Sequence, residues 1–171
     1  MCIRDRVLAE NDFVRLVDAD ECKRALHLSE EAGLVHCAMN CTRGVQILCN
    51  CCGCCCVALQ GVVEQHKRGA IAVSAYTARI DPRLCTGCDD CHEWCWTDAI
   101  ATEDGTCSVA AERCLGCGLC ASQCHVRAIE MVPRPAPPAR APHNPLSLSV
   151  RMTRDRGSTE AAVRALLDEI R

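Results

Sequence analysis

Aromatic side chains are almost missing: Phe13, Tyr76, Trp94 and Trp96 are the only rings in 171 residues. Rings supply much of the buried area of an ordinary core, so part of the stability is expected from cross-links or bound metal. No run of 18 apolar residues exists. The longest, Ile47 to Leu59, is broken by Asn50 and Gly53, and no membrane span is expected. The charged opening has no apolar stretch behind it, so no export signal is read. The glycine loops that cradle phosphates, GxGxxG and GxxxxGK[ST], are absent, and no nucleotide cofactor is expected. Six histidines are scattered without a nucleophile–base grouping. Neither charge sign dominates: the net charge is -3 with 24% charged residues. That argues against a disordered chain and against a basic nucleic-acid binder.

Cysteine is the opposite extreme, with 19 residues. A disulfide scaffold would need an oxidising compartment. Without an export signal, a cytoplasmic chain whose thiols hold metal is the expectation. The opening MCIRDR resembles a translated sequencing-adapter fragment. On that reading the native chain begins upstream of Val7, and Cys2 has no role.

Four zones follow one another. Residues 1–74 hold a helix and a cysteine-rich region, 75–132 an internal repeat, 133–146 a proline-rich linker, and 147–171 a flexible tail. The tail ends in an amphipathic helix carrying Val163, Leu166, Leu167 and Ile170, capped by Ser158 or Thr159. Residues 1–132 carry 12 basic and 18 acidic side chains, whereas 133–171 carry 7 and 4. The basic tail could fold back on the acidic body or meet a partner. In the first zone, Asp20 is expected to cap a helix running through Glu31 and ending at Gly33. Cys22, Ala25, Leu26 and Leu28 are the candidates for its inner side. Gly44–Leu48 reads as a strand, Val57–Gln65 as a helix and Ala70–Ala75 as a strand.

The repeat carries the chemistry. Cys85, Cys88, Cys91 and Cys95 are followed 29 residues later by Cys114, Cys117, Cys120 and Cys124, each run being C-x2-C-x2-C-x3-C with an Ala-Ile pair behind it. This is the bacterial iron–sulfur ligand run without its terminal proline. Zinc sites more often pair two short ligand hairpins across a gap, whereas here three cysteines share one loop, twice. Gly87 and Gly116 would let that loop pass close to a cluster, with its N–H groups aimed at the anionic cube.

These residues resemble the two-[4Fe–4S] bacterial ferredoxin family over residues 76–132. The resemblance implies an α+β fold, a pseudo-twofold module of two short hairpins and two small helices, beside a small cysteine-rich α/β N-terminal region. Tyr76–Ile80, Ile100–Glu103, Thr106–Ala110 and Ile129–Val132 would be its strands, with a turn at Asp104–Gly105 and helices after Cys91 and Cys120. It also implies two [4Fe–4S] clusters, one on Cys85, Cys88, Cys91 and Cys124, the other on Cys114, Cys117, Cys120 and Cys95. Trp96 and His125 stand where the family has proline. Trp96 either shields a cluster or simply packs. His125 either donates a hydrogen bond towards a cluster sulfur or is an exposed or capping histidine.

Upstream, Cys49, Cys51, Cys52, Cys54, Cys55 and Cys56 crowd into eight residues. Buried small thiols are the plain reading. A metal reading takes Cys51 and Cys54 with Cys37, Cys41 or Cys55, as a third iron–sulfur or zinc site. The CNCCGCCC stretch followed by the repeat resembles uncharacterised 4Fe–4S dicluster proteins of anaerobic bacteria.

The expectation is an electron-transfer protein or oxidoreductase subunit. Residues 81–132 hold three arginines against nine acids, which suits redox partners with basic docking patches. Two alternatives stay open: a redox enzyme subunit with its active metal at Cys49–Cys56, and a thiol-rich structural metal-binding protein.

Overall fold

The computed structural model describes residues 2–3, 15–43, 47–64, 71–136 and 138–155. The first helix, α1 (Ala19–Glu31), is capped by Asp18, whose extended backbone lets its carboxylate accept the Glu21 N–H at 2.7 Å. Asp20, expected as the cap, lies inside the first turn and pairs with Lys23. The helix ends where Gly33, at φ +73°, returns its N–H to the Glu30 carbonyl. Cys22 and Leu26 are half-buried on its inner side, but Ala25 and Leu28 face solvent. Ser29 and Glu30 take the remaining inner positions, because a helical stripe runs i, i+4, i+7, i+8.

Three strands follow that geometry into a small antiparallel sheet. They are β1 (Cys2–Ile3), β2 (Val35–Ala38) and β3 (Ile47–Cys51), in the order β1-β3-β2. The opening residues, given no role from the sequence, thus supply a short edge against Ile47 and Leu48. Of the strand expected at Gly44–Leu48, Ile47 and Leu48 belong to β3, which runs on into the cysteine-rich stretch because Leu48 to Cys51 pair with β2. Residues 44–46 lie outside the described residues. Helix α2 (Val57–Val63) stops two residues short of the expected end. The strand expected at Ala70–Ala75 is not formed over 71–75. There the Ser74 N–H bonds the Leu115 carbonyl at 3.0 Å, so this segment satisfies its backbone on a loop rather than a sheet edge.

The repeat builds β4 (Tyr76–Ile80), α3 (Asp90–Glu93), β5 (Ile100–Glu103), β6 (Thr106–Val109), α4 (Leu119–Gln123) and β7 (Ile129–Pro133). Strand β4 pairs with β7, and β5 with β6, both antiparallel. At the 29-residue offset β4 corresponds to β6 and β5 to β7, so each sheet takes one strand from each half. The backbone repeats as closely as the cysteines do. Positive φ recurs at Gly87 and Gly116, Asp89 and Gly118, and Asp98 and Arg127. Asp104–Gly105, with φ of 50° and 73°, closes the β5–β6 hairpin, as a two-residue turn of that sequence should. Each short helix begins one residue before the third cysteine of its run rather than after it.

Two apolar groups hold these parts together. One gathers Ala78, Ile100 and Ile129 with Cys91, Cys107, Cys114 and Cys120 inside the repeat. The other joins Val35 and Leu59 from the first zone to Leu119 of α4, with Trp94 and Trp96 packed against them. Leu59 and Leu119 are fully buried, each worth about 1.5–3 kcal/mol of transfer free energy. The cysteine-rich region is therefore seated on both halves of the repeat, through Trp94 and Trp96 of the first and Leu119 of the second.

Beyond Pro133 the chain runs along residues 42–43, whose N–H groups bond the Pro142 and His143 carbonyls. Helix α5 (Pro145–Asp155) starts inside the expected linker. Asn144 Oδ1 accepts the Ser147 N–H and Ser147 Oγ accepts the Asn144 N–H, a reciprocal cap ahead of a proline at the first helical position. The amphipathic helix expected around Val163 to Ile170 lies outside the described residues. The fold is thus mixed α/β, with three small antiparallel sheets and five helices among the described residues, compatible with the α+β class. No described helix is long and apolar enough to cross a membrane.

Candidate metal centre

The first cysteine loop leaves β4 through a turn at Asp81. Its carbonyl accepts the Cys85 N–H at 3.0 Å, and its carboxylate binds the Arg83 N–H and guanidinium. Those bonds hold the Asp81 carboxyl down at about 2. Gly87 then crosses the β5–β6 turn: a Cβ there would lie 2.3 Å from the Gly105 carbonyl oxygen. Gly116 makes the equivalent crossing, 2.2 Å from the Tyr76 carbonyl oxygen. Glycine is needed at both positions by a neighbouring backbone, the turn at Gly105 or the strand at Tyr76, as well as by positive φ.

After these crossings α3 and α4 turn Cys91 and Cys120 inward, where both are buried. Cys95 and Cys124 follow the helices. Cys95 Sγ accepts the Ala99 N–H at 3.2 Å and Cys124 Sγ accepts the Ala128 N–H at 3.3 Å. These matching bonds orient the fourth thiol of each run.

Two apolar pockets result. One, with about 330 Å³ of space between atoms, part of it open to solvent, is lined by Cys85, Cys88, Cys91 and Cys124 together with Ile80, Ile129 and Cys107. The other, about 440 Å³ and likewise partly open, is lined by Cys95, Cys114, Cys117 and Cys120 together with Ala78, Ile100 and Met131. Each foursome takes three thiols from one loop and one from the other half of the repeat. Cys88 and Cys117, the middle thiols of the two loops, are exposed.

Burial governs the charge of these thiols. Cys91 is pushed up to about 12 by burial, then by the Cys107 thiol, and it also feels Cys120, its repeat equivalent. Cys120 is pushed up to about 12 by burial and by Cys117, Cys95 and Cys114. Cys85 moves the other way, because the Cys107 and Gly87 N–H groups point at its sulfur. Buried thiols of this kind lose their protons readily when a metal cation takes the proton's place.

The repeat symmetry is broken at one buried position. Cys107 is the 29-residue equivalent of Ala78, and both are 5% exposed. A methyl group therefore lines the second pocket where a fifth thiol lines the first. The Cys107 sulfur sits 3.3 Å from Thr102 Oγ1 and 3.7 Å from Asp89 Oδ1. Aligning the two halves on their cysteines would have revealed this residue from the sequence.

Trp96 and His125 occupy different surroundings. Trp96 donates from Nε1 to the Gly33 carbonyl at 3.0 Å, and its ring lies where a Cβ at Gly53 would be 2.3 Å away. It packs the first zone onto the repeat and at the same time lines the second pocket. His125 is exposed, with Nδ1 3.4 Å from Asp90 Oδ2. Its ring nitrogen, that carboxylate and the Cys88 sulfur lie within 4.8 Å of one another.

The structure splits the upstream set Cys37, Cys41, Cys51, Cys54 and Cys55. Cys37 and Cys51 line an open cleft together with Cys49 and Cys56. Cys54 and Cys55 belong with Cys52 to an exposed turn, where the three sulfurs lie within 4.8 Å of one another. Cys41 is buried and belongs to neither group. The cause is local: a strand sends alternate side chains to opposite faces, and the turn at Gly53 then reverses the chain. In the cleft, burial pushes Cys37 up and Cys51 up to about 12. In the turn, the Cys54 thiol brings Cys52 down to about 7.

Arg134 has no precedent in the sequence reading. Its guanidinium donates to the carbonyls of Ser74, Ala111 and Cys114 at 3.0, 2.8 and 2.6 Å, clamping the start of the second cysteine loop. Nothing in the sequence around it marks that role. The cysteine groups can hold metal ions by their chemistry. No protein-family model and no curated protein matches this chain.

Proposed function

We propose that residues 76–132 bind two [4Fe–4S] clusters and that the chain is an electron-transfer protein or an electron-transfer subunit of the bacterial dicluster ferredoxin type. The observation that carries this reading is the crossed division of eight thiols between two pockets, three from one loop and one from the other half each time. That is the ligand pattern of two-cluster ferredoxins. Spacing supports a polynuclear group over a single ion. A tetrahedral zinc with bonds of about 2.3 Å brings its sulfurs to roughly 3.8 Å of one another. Among the described residues, neither foursome contains three sulfurs mutually within 4.8 Å.

When bound, such clusters accept and release single electrons. The chain holds them by eight thiolates, and the Ala99, Ala128 and Cys107 N–H groups donate to ligand sulfurs. Ile80, Ile100, Ile129 and Met131 keep water from the pocket walls. Fixed dipoles and low hydration are the levers by which a protein sets such potentials. The acidic surface of residues 81–132 favours partners with basic patches, and a reducing cytoplasm would keep the thiols available.

Anaerobic purification with iron and sulfide analysis tests the reading. At least about eight irons per chain, with one-electron signals on reduction, are expected. Cys88→Ser and Cys117→Ser should each remove the signal of one cluster. A preparation whose repeat holds only zinc, or iron that no reductant bleaches, refutes it.

A further inference from the structure

A third group of thiols lies outside the repeat pockets. In the β2–β3 pair, Cys37 stands opposite Cys49 and Val35 opposite Cys51, and directly paired residues point to the same face of a sheet. The intervening pair, His36 and Asn50, joins Nδ1 to Oδ1 at 2.8 Å. Strand alternation thus sorts three thiols to one side. The chain then turns at Gly53 under the Trp96 ring and brings Cys56 back to the same side. The four thiols line a cleft with about 1470 Å³ of space between atoms, part of it open to solvent, and Leu115, Gly116 and Cys117 of the second cysteine loop line it too.

We propose that Cys37, Cys49, Cys51 and Cys56 hold a third iron–sulfur cluster, placed across Leu115–Cys117 from the second repeat pocket. The proposal rests on the reading of the repeat as a pair of cluster sites, because its value lies in extending that relay. Four thiols match the four outer positions of a cube. On binding, each thiol releases its proton and forms one sulfur–iron bond. A single tetrahedral ion is the competing occupant, because the Cys51 thiol hydrogen-bonds those of Cys37 and Cys56; the zinc measurement below separates the two. The exposed trio Cys52, Cys54 and Cys55 lies outside the cleft lining and is a separate group.

Cys117 belongs to both the cleft and the second pocket. A cluster in the cleft would therefore have a ligand of the neighbouring cluster in its own wall.

The test uses the full chain, purified anaerobically and then reconstituted with ferrous iron and sulfide, with iron, sulfide and zinc measured per chain. Wild type should hold about twelve irons. Cys37→Ser/Cys51→Ser should hold about eight and keep both repeat signals, while Cys52→Ser/Cys54→Ser/Cys55→Ser should keep about twelve. A wild-type chain with about eight irons overturns this proposal and leaves the repeat reading standing. About four irons, retained in Cys88→Ser/Cys117→Ser and lost in Cys37→Ser/Cys51→Ser, overturns the repeat reading and supports this site. Zinc that is lost only in Cys37→Ser/Cys51→Ser overturns the cluster as occupant. If the double variant does not fold, the wild-type iron count still decides.

Discussion

Replacing Gly53 with alanine perturbs the junction between the cysteine-rich region and the repeat. The new methyl would lie 2.3 Å from Trp96 Cε3 and 2.8 Å from Cζ3. Carbon atoms settle at about 3.5–4.0 Å, so the ring must shift by roughly 1 Å or more. It is poorly free to do so, because Nε1 donates to the Gly33 carbonyl at 3.0 Å and the ring packs with Leu59 and Leu119. Overpacking costs about 1–3 kcal/mol, and loss of the indole hydrogen bond about 0.5–1.5 kcal/mol. Gly53→Ala should therefore destabilise the chain by about 2–4 kcal/mol. Urea unfolding followed by circular dichroism and tryptophan fluorescence measures this. Repeating it in a Trp96→Ala background isolates the clash: with the ring gone, the methyl should cost close to nothing. Equal costs in the two backgrounds would show that Gly53 does not sit under Trp96 and that the two zones are not joined there.

If the repeat binds the proposed clusters, Cys107→Ala should leave the iron content unchanged and lower the potential of the cluster at the first pocket only. Loss of a weak S–H donor worth about 0.5–1 kcal/mol corresponds to roughly 20–40 mV in a one-electron couple. Potentiometry checks it, and loss of a cluster would mean that Cys107 is itself a ligand. Arg134→Ala removes three hydrogen bonds to backbone carbonyls and should cost about 2–4 kcal/mol. It should also speed iron loss from the second pocket more than from the first, read by chelator challenge. On the proposed reading, complete removal of iron should unfold the repeat, since its apolar group is built partly of the cysteines proposed as ligands. A fully folded metal-free repeat in hydrogen exchange would contradict that.

Much of the repeat was legible in advance because its constraints are local and doubled. The strands at Tyr76, Ile100, Thr106 and Ile129 begin where the family resemblance implied, and the Asp104–Gly105 turn between two of them was readable from the residues themselves. The first zone was less legible. Its strand β3 runs three residues past the expected end at Leu48 because pairing with β2 carries it to Cys51, and register is a property of two segments. The segment at 71–75 looked apolar enough for a strand, yet its backbone went to the Leu115 loop. Helix α5 was hidden by the prolines before it, although Asn144, Pro145 and Ser147 carried its cap.

The sequence alone determined that thiols would dominate this protein, that eight of them recur in two matching runs, and that the halves share one local backbone pattern. Those are matters of residue identity and short-range spacing. Only the tertiary structure decided which upstream cysteines share a face and that Arg134 clamps the second loop. Strand pairing and the seating of Trp96 over Gly53 bring together residues far apart in the chain, and no local pattern encodes a contact made at that range.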